Sequence, residues 1–318
     1  MTENVTRPPN LDLGPGKEFD LVRTLLAEWG KSAQRIGDDA AILDVPQGER
    51  LVVTTDTSVE GVHFKREWLS HFEIGYRATA ASLSDLAAMG ARPLGILIAL
   101  TLPEGDREQA RSLATGIREG AAAVLAPIVG GDLSAGRVLS LTITALGSVA
   151  RPITRGGARV GDRVYVTGAL GGPAAALRAW RAGKEPNDKD RARFARPIPR
   201  IDAGAVLSIR GATAAIDISD GLIADLRHIA AASKVRIEID AERIPRVAGA
   251  TALEAASSGE EYEIAVTAPQ IDTTSASEEL GVELTEIGRV VAGSSSVVLL
   301  QNGEPINAPA GFDHFREK

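Results

Sequence analysis

The chain has 318 residues, of which 44% are hydrophobic and 4% aromatic, and its formal net charge is −7. This length predicts one large or two medium-sized domains, and an acidic chain without a basic block argues against binding to nucleic acid. The absence of cysteine excludes disulfides, zinc–thiolate sites, cysteine-ligated iron–sulfur clusters and cysteine nucleophiles. The polar start and the lack of any apolar run near about 20 residues lead us to expect a cytoplasmic protein with neither signal peptide nor membrane span.

The first 150 residues mix predicted helices and strands. Apolar residues at helical spacing predict three helices, at 16–30, 71–90 and 106–126. Runs of β-branched and apolar residues predict three strands, at 51–55, 94–103 and 139–150. We therefore expect an N-terminal domain over residues 1–150.

A basic segment rich in Pro and Gly, "RPITRGGARVGDR", follows and predicts a domain boundary near residue 150. Beyond it, 163–180 is typical of a strand, a glycine turn and a helix. The further predicted elements are a helix at 221–234 and strands at 214–219, 235–240, 262–267, 284–291 and 296–303. The expected fold class is α/β, arranged as α+β layers in two domains, with the second domain over 151–318 and the acidic clusters at strand ends and turns.

Five short motifs place Asp beside Gly, Ser or Thr and next to an apolar segment: "IGDDAAIL", "VVTTDTSVEGVHF", "SLSDLAAMG", "IVGGDLSAG" and "IDISDGLIADL". A single Asp is more often a helix cap or a turn residue, as we expect for Asp20, Asp106, Asp162 and Asp202. Grouped carboxylates need cations, since two like charges 4 Å apart repel each other by about 4 kcal/mol at intermediate dielectric. Carboxylate and hydroxyl oxygens without His or Cys are typical of a Mg²⁺ site.

Two of these motifs bear on phosphate binding. Thr54, Thr55 and Thr57 add hydroxyl oxygens that could join a metal shell. The two glycines before Asp132 allow the backbone to approach a phosphate, but an ordinary glycine turn is an equal alternative. The sequence lacks the P-loop, the G-x-G-x-x-G fingerprint and the protein-kinase motifs, so metal ions would have to hold a nucleotide's phosphates.

Eight motifs together, in the same order and over essentially the whole chain, resemble the thiamine-monophosphate kinase family. They are "IGDDAAIL", "TTDTSVEGVHF", "SLSDLAAMGARP", "VGGDLSAG", "TRGGARVGDRVYVTG", "IDISDGLIADL", "SGEEYEIAVT" and "GFDHF". The resemblance implies the two-domain fold of the aminoimidazole-ribonucleotide-synthetase superfamily. In that fold the N-terminal domain dimerises through its sheet and the C-terminal domain covers the nucleotide site. It also implies a homodimeric, ATP-dependent enzyme of thiamine diphosphate biosynthesis that phosphorylates thiamine monophosphate.

The same resemblance implies roles for individual residues. Several Mg²⁺ ions would be held by Asp39, Thr54, Thr55, Asp56, Asp85, Asp132, Asp217 and Asp220. ATP would contact Gly131, Asp132, Arg155 and Ser219. Thiamine monophosphate would contact His63, Glu260 and Phe312. Dependence on K⁺ stays open.

Each residue also has a structural alternative. His63 could be a packed histidine, Arg155 a turn cap and Phe312 a packing anchor, and Glu260 and Glu261 could be solvated. Two positions depart from the family pattern. Thr115 stands where the family often has a nucleotide-contacting tyrosine, and "SGEEYE" replaces the commoner "GEDYE", which leaves the role of Glu261 open.

The expected chemistry is direct in-line transfer to an acceptor that is already an ionised phosphate monoester, so no general base is expected. Catalysis would rest on charge neutralisation through Asp56, Asp132 and Arg155. One alternative is another enzyme of the superfamily, although selenophosphate synthetase and the hydrogenase-maturation dehydratase both call for a Cys or selenocysteine. The other is a non-catalytic regulator that binds metal and nucleotide.

Overall fold

The structure is a computed structural model that describes residues 15–103, 105–308 and 311. Over these residues the chain divides into two compact units. The first comprises the described residues up to Leu86 together with Pro93–Ala150, and the second comprises Ala87–Arg92 together with the described residues from Arg151 onward. The segment Ala87–Arg92 thus groups with the C-terminal unit although it lies within the first 150 residues.

The strands of the first unit, as far as its residues are described, form one sheet: β1 (Arg50–Val59), β2 (Arg92–Leu102), β3 (Ile128–Ala135) and β4 (Ser140–Val149). Their order is β1-β4-β2-β3, so β1 and β3 lie at the two edges. β1 runs antiparallel to β4, and β2 runs parallel to β3. The helices of this unit are α1 (Lys17–Trp29), α2 (His71–Ala88) and α3 (Arg107–Ala122).

The two faces of this sheet differ because side chains alternate along each strand. On β4, Leu141, Ile143 and Ala145 are fully buried, and the Ser82 hydroxyl of α2 donates to the Ile143 carbonyl at 2.6 Å. The opposite face carries hydroxyls that pair between β1 and β4, Thr55 with Thr144 at 3.1 Å and Thr57 with Thr142 at 2.9 Å. We call this second face the open sheet face; it also includes Leu51 and Val53.

Glycines let helices α2 and α3 cross in backbone contact. A Cβ at Gly116 would lie 1.9 Å from the Phe72 carbonyl oxygen, and one at Gly75 would lie 2.4 Å from that of Leu113. Any larger residue at either position would push the two helices apart. This crossing fixes α2, the helix that carries Asp85.

The second unit contains a mixed sheet whose described strands are β5 (Arg163–Thr167), β6 (Ala214–Asp217), β7 (Arg236–Asp240), β8 (Ile264–Ala268), β9 (Leu284–Val291), β10 (Ser296–Gln301) and β11 (Glu304–Ile306). Their order is β11-β10-β7-β9-β5-β8-β6. The helices of this unit are α4 (Gly172–Arg181), α5 (Asp188–Ala195), α6 (Ile201–Ile209), α7 (Leu222–Ser233), α8 (Ala252–Ser257) and α9 (Thr273–Leu280).

Helix α7 packs against this sheet through a fully apolar face. Ile223, Leu226 and Ile229 are buried in one cluster with Ile216 of β6 and Ile237 of β7. Each such side chain stabilises the fold by about 1.5–3 kcal/mol relative to an exposed one. The burial therefore holds both ends of the short turn that connects β6 to α7.

The predicted fold class is confirmed, and all three helices predicted in the first 150 residues are present. The strand predicted at 51–55 extends to Val59, so Asp56 lies inside a strand rather than at its end. Asp85 lies within α2, and Gly130, Gly131 and Asp132 lie within β3, so the glycine-turn alternative for "VGGD" is wrong. None of the described helices is both long enough and apolar enough to cross a bilayer.

Candidate active site

In the first unit, β1 and α2 bring two predicted metal ligands together. The Thr54 hydroxyl donates to Asp85 Oδ2 at 2.5 Å. Asp56 lies two residues after Thr54 and shares its side of the strand, because successive side chains alternate. Thr55 lies on the opposite side, on the open sheet face. The predicted ligands of β1 therefore divide between the two faces of the sheet.

Asp132 lies on β3, at the other edge of the same sheet. It is exposed, and one of its carboxylate oxygens accepts a hydrogen bond from the Ser134 hydroxyl at 3.1 Å. Gly131 is required beside it, since a Cβ there would lie 2.1 Å from the Ile98 carbonyl oxygen of β2. With strands about 4.8 Å apart, the two edges of the sheet are separated by about 14 Å. Within one chain, Asp132 therefore does not lie beside Thr54 and Asp85.

Asp39 lies in the exposed connection that precedes β1. Its backbone N–H donates to Asp38 Oδ1 at 2.9 Å. Earlier in this connection, Ala33 forms a bridge with Ile128 at the start of β3. Across the described residues, no group of three or more His, Cys, Asp or Glu side chains is arranged to hold a metal ion. Whether the eight predicted ligands act together therefore stays a prediction.

In the second unit, β6 ends at the buried Asp217, and a turn at 218–221 leads into α7. Asp225, in the first turn of α7, is 2% exposed. Its Oδ2 accepts the backbone N–H groups of Ser219, Asp220 and Gly221 at 3.1, 3.1 and 3.0 Å. Burial, with repulsion from Asp220, raises the pKa of Asp225 to about 7. The sequence prediction had given no role to this third carboxylate of the motif.

The segment 258–262 packs against the same turn. The N–H of Glu260 donates to the Ser219 carbonyl at 2.8 Å, and those of Glu261 and Tyr262 donate to the Ile218 carbonyl at 3.1 and 2.9 Å. Glu260 and Tyr262 have φ angles of 63° and 53°, a strained conformation for residues other than glycine, and the Tyr262 hydroxyl donates to a Glu260 carboxylate oxygen. The predicted nucleotide contact Ser219 is thereby joined to the predicted substrate contact Glu260.

Two buried carboxylates lie behind this segment. Glu263 is 2% exposed and forms a two-pronged ion pair with Arg200, at 2.8 and 2.6 Å. Glu261 is buried, and its Oε1 accepts the Gly171 N–H at 2.5 Å, at the start of α4. Within the described part of the chain its Oε2 is buried without a hydrogen-bond partner, and burial raises the pKa of Glu261 to about 8. The solvated alternative for Glu261 is wrong.

His63 and Arg155 both make contacts that shape turns. His63 Nδ1 accepts the Val59 N–H at 3.1 Å where β1 ends. Arg155 is exposed, and its carbonyl accepts from the hydroxyl of Ser233, the last residue of α7, at 2.9 Å. The 12 residues of α7 span about 18 Å, so the Arg155 backbone lies at the opposite end of this helix from Asp220.

Thr115 and Phe312 complete the predicted set. The Thr115 hydroxyl donates to Glu28 Oε2 of α1 at 3.2 Å, so this departure from the family pattern joins two helices of the first unit. Phe312 lies outside the described residues.

Two family models match this chain in succession. The model for AIR synthase related protein, N-terminal domain, covers residues 37–149, and that for the C-terminal domain covers residues 159–301. A thiamine-monophosphate kinase of Haemophilus influenzae is 38% identical over an alignment of 325 positions, which covers 94% of this chain and 98% of that protein.

Solved structures agree with these matches. The crystal structure of thiamine-monophosphate kinase from Stenotrophomonas maltophilia K279a has a TM-score of 0.78 at 36% identity, covering 92% of this chain and 98% of that one. The structure of AaThiL complexed with AMPPCP and TMP has a TM-score of 0.75 at 30% identity, covering 96% of this chain and all of that one. By identity over nearly its whole length, the chain belongs to the thiamine-monophosphate kinase family.

Proposed function

We propose that this protein transfers the γ-phosphoryl group of ATP to thiamine monophosphate and forms thiamine diphosphate. Membership of the thiamine-monophosphate kinase family supports this reaction, and so does the structure of a relative complexed with AMPPCP and TMP. Within this chain the proposal rests chiefly on one contact, the 2.8 Å hydrogen bond from the Glu260 N–H to the Ser219 carbonyl. It ties a residue proposed to contact thiamine monophosphate to one proposed to contact ATP.

The chemistry requires charge neutralisation more than proton transfer. The acceptor is a phosphate monoester whose oxygen is ionised near neutral pH, so it needs no general base. The difficulty is that two anions must approach each other. The protein would hold them in line and oppose their charge, which is how phosphoryl-transfer enzymes achieve most of their rate.

The residues present fit Mg²⁺, because the predicted ligands offer only carboxylate and hydroxyl oxygens, the donors that this ion prefers. The ligands would be Asp39, Thr54, Thr55, Asp56, Asp85, Asp132, Asp217 and Asp220. When bound, Mg²⁺ offsets negative charge on phosphate oxygens. The number of ions and any need for K⁺ stay predictions.

The remaining contacts are also proposals. Gly131, Asp132, Arg155 and Ser219 would contact ATP, with the exposed Arg155 guanidinium providing positive charge. His63, Glu260 and Phe312 would contact thiamine monophosphate. The domain roles follow: residues 1–150 would bind ATP and Mg²⁺ and dimerise, and residues 151–318 would cover the active site.

A coupled assay of ADP release, with and without thiamine monophosphate, tests the reaction. We expect ADP release that depends on thiamine monophosphate and on Mg²⁺. Binding of ATP without acceptor-dependent ADP would instead favour the non-catalytic regulator. A panel of other phosphorylated acceptors in the same assay separates this activity from other reactions of the superfamily.

We propose, further, that the protein is a homodimer formed through the open sheet face. Leu51 and Val53 on this face are 51% and 55% exposed beside the paired threonines, and apolar surface of this kind favours a partner. Val53→Glu should convert a dimer to a chain of 33.2 kDa in light scattering. Val160→Glu, at a residue of the second unit that is 61% exposed, is the matched control and should stay dimeric. A monomeric wild type would contradict the proposal.

A further inference from the structure

The turn at 218–221 uses its backbone N–H groups internally. Those of Ser219, Asp220 and Gly221 all donate to one oxygen, Asp225 Oδ2, at 3.0–3.1 Å. Three free N–H groups at the start of a helix would attract an anion. Because Asp225 occupies them, this helix start is closed to phosphate by the chain itself.

The carbonyl groups of the same turn are also used by the protein. Those of Ile218 and Ser219 accept the N–H groups of residues 260–262. Gly259 lies so close that a Cβ there would be 2.6 Å from the Ser219 carbonyl oxygen. The turn is therefore held from both sides through its backbone, while the Ser219 and Asp220 side chains remain partly exposed.

We propose that Asp225 is a positioning residue for the metal–nucleotide site, a role that rests on the proposed function. Its Oδ2 fixes the backbone of Ser219–Gly221, and that backbone sets where the Asp220 carboxylate and the Ser219 hydroxyl stand. Asp225 acts through these two residues and is not itself a ligand. What matters is the place of its acceptor oxygen, not its charge.

Three substitutions separate acceptor position from charge. Asp225→Asn keeps an acceptor oxygen at the same distance from the backbone and removes the charge. Asp225→Glu keeps the charge and displaces the carboxylate by one methylene. Asp225→Ala removes the acceptor. If Asp225 is a positioning residue, nucleotide binding should be retained in Asp225→Asn and weakened in the other two variants. If Asp225 is instead a metal ligand, binding should be weakened in Asp225→Asn and better retained in Asp225→Glu.

The first measurement uses the metal-free protein. In hydrogen–deuterium exchange, the amides of Ser219, Asp220 and Gly221 should be protected in the wild type and in Asp225→Asn, and should exchange faster in Asp225→Glu and Asp225→Ala. The second is calorimetry with AMPPCP at saturating Mg²⁺. Loss of a supporting hydrogen-bond partner should weaken binding by about 10–100-fold in the Glu and Ala variants, and by less than about threefold in Asn.

Asp106 provides a matched control in the first unit. It is the N-cap of α3, and its Oδ1 accepts the N–H groups of Glu108 and Gln109 at 2.7 and 3.1 Å. Asp106→Ala should lower the melting temperature and leave AMPPCP affinity unchanged. If Asp225→Ala does not fold, the Asn and Glu variants decide the question between them.

Three results would overturn the proposal: equal losses of affinity in Asp225→Asn and Asp225→Glu, unchanged affinity in Asp225→Glu, or unchanged exchange at the three amides. If the wild type binds AMPPCP with Mg²⁺ but releases no ADP with thiamine monophosphate, the reaction assignment fails while the positioning test still stands. Absence of Mg²⁺-dependent binding to the wild type would refute both.

Discussion

The turn at 218–221 and the acidic residues of the first unit share the same oxygen chemistry, but the chain supports them differently. In the turn, Asp225 and residues 260–262 hold five backbone groups in place. In the first unit, Asp132 stands exposed beside Ser134, and Thr54 bonds to Asp85 at the other edge of the sheet. Substitutions at Arg200 and Glu261, which lie behind residues 260–262, should therefore affect stability, whereas those of the sheet's carboxylates should affect turnover.

The largest expected effect is a loss of stability on substitution of Arg200, which supports the segment 258–262 that packs against the turn. Arg200→Leu leaves the Glu263 carboxylate buried without its cation, so the free energy of unfolding should fall by about 3–5 kcal/mol in urea titrations. The double variant Arg200→Leu/Glu263→Leu should recover much of this loss. Arg243→Leu breaks an exposed pair with Glu286 and should cost less than about 1 kcal/mol. Equal losses in the two single variants would contradict the supporting role.

The second prediction concerns the sheet. Asp132→Asn and Asp56→Asn should each lower kcat by about 100-fold, because they remove charge that would otherwise hold Mg²⁺ near the phosphates. Their melting temperatures should change by less than about 3 °C, since Asp132 is exposed and Asp56 is only partly buried. Asp202→Asn, at an exposed residue of α6, is the control and should keep normal turnover. Near-normal turnover in both site variants would refute their assignment.

The sequence predicted the elements that alternate or repeat strongly. The helix at 106–126 and the strand at 139–150 were both evident from the spacing of their buried residues. Helices α5 and α9 were not predicted, because eight residues provide too few repeats of the pattern. Strand β3 was obscured by its two glycines: the close approach of the Ile98 carbonyl of β2 requires Gly131, and Gly130 faces the Leu97 side chain.

The candidate site also has features that the sequence predicted and features that it did not. The motifs indicated that Asp217, Asp220 and Ser219 lie at a strand end, and the described turn agrees. The supporting role of Asp225 depends on backbone N–H directions that no spacing rule contains. The separation of Asp132 from Thr54 depends on strand order, which composition and periodicity do not specify. The residue types of the site could therefore be predicted from the sequence, but their arrangement in space could not.

The third prediction uses the raised pKa of Glu261. An unfolded Glu loses its proton near its ordinary pKa of 4.5, whereas burial keeps the folded one protonated until about pH 8. Between these values the folded state binds more protons, so the free energy of unfolding should fall as pH rises. Glu261→Gln should remove the contribution of Glu261 to this slope and leave that of Asp225, whose pKa is also raised. The variant should be more stable than the wild type at pH 6.5 by on the order of 2 kcal/mol, with little difference near pH 4.5.

Urea titrations from pH 4.5 to 8.5 measure the effect of Glu261→Gln. Arg193 lowers this pKa and Glu263 raises it, so both must be kept unchanged. Glu278→Gln, at an exposed residue of α9, is the control and should leave the wild-type slope intact. A wild-type slope preserved in Glu261→Gln would place the titrating group elsewhere.

The smallest expected effect concerns Thr115 of the first unit, where the family often has a nucleotide-contacting tyrosine. Its hydroxyl donates to Glu28 at 3.2 Å and to the Arg111 carbonyl at 2.9 Å, so its visible partners belong to α1 and α3. Thr115→Val should lower the free energy of unfolding by about 0.5–1.5 kcal/mol and leave the KM for ATP unchanged. Ser112→Ala, three positions earlier on the same helix, is the control for a lost hydroxyl. An increase in KM for ATP in Thr115→Val alone would instead place the hydroxyl at the nucleotide, and would show that a residue of the first unit can serve both the helix contact and the ligand.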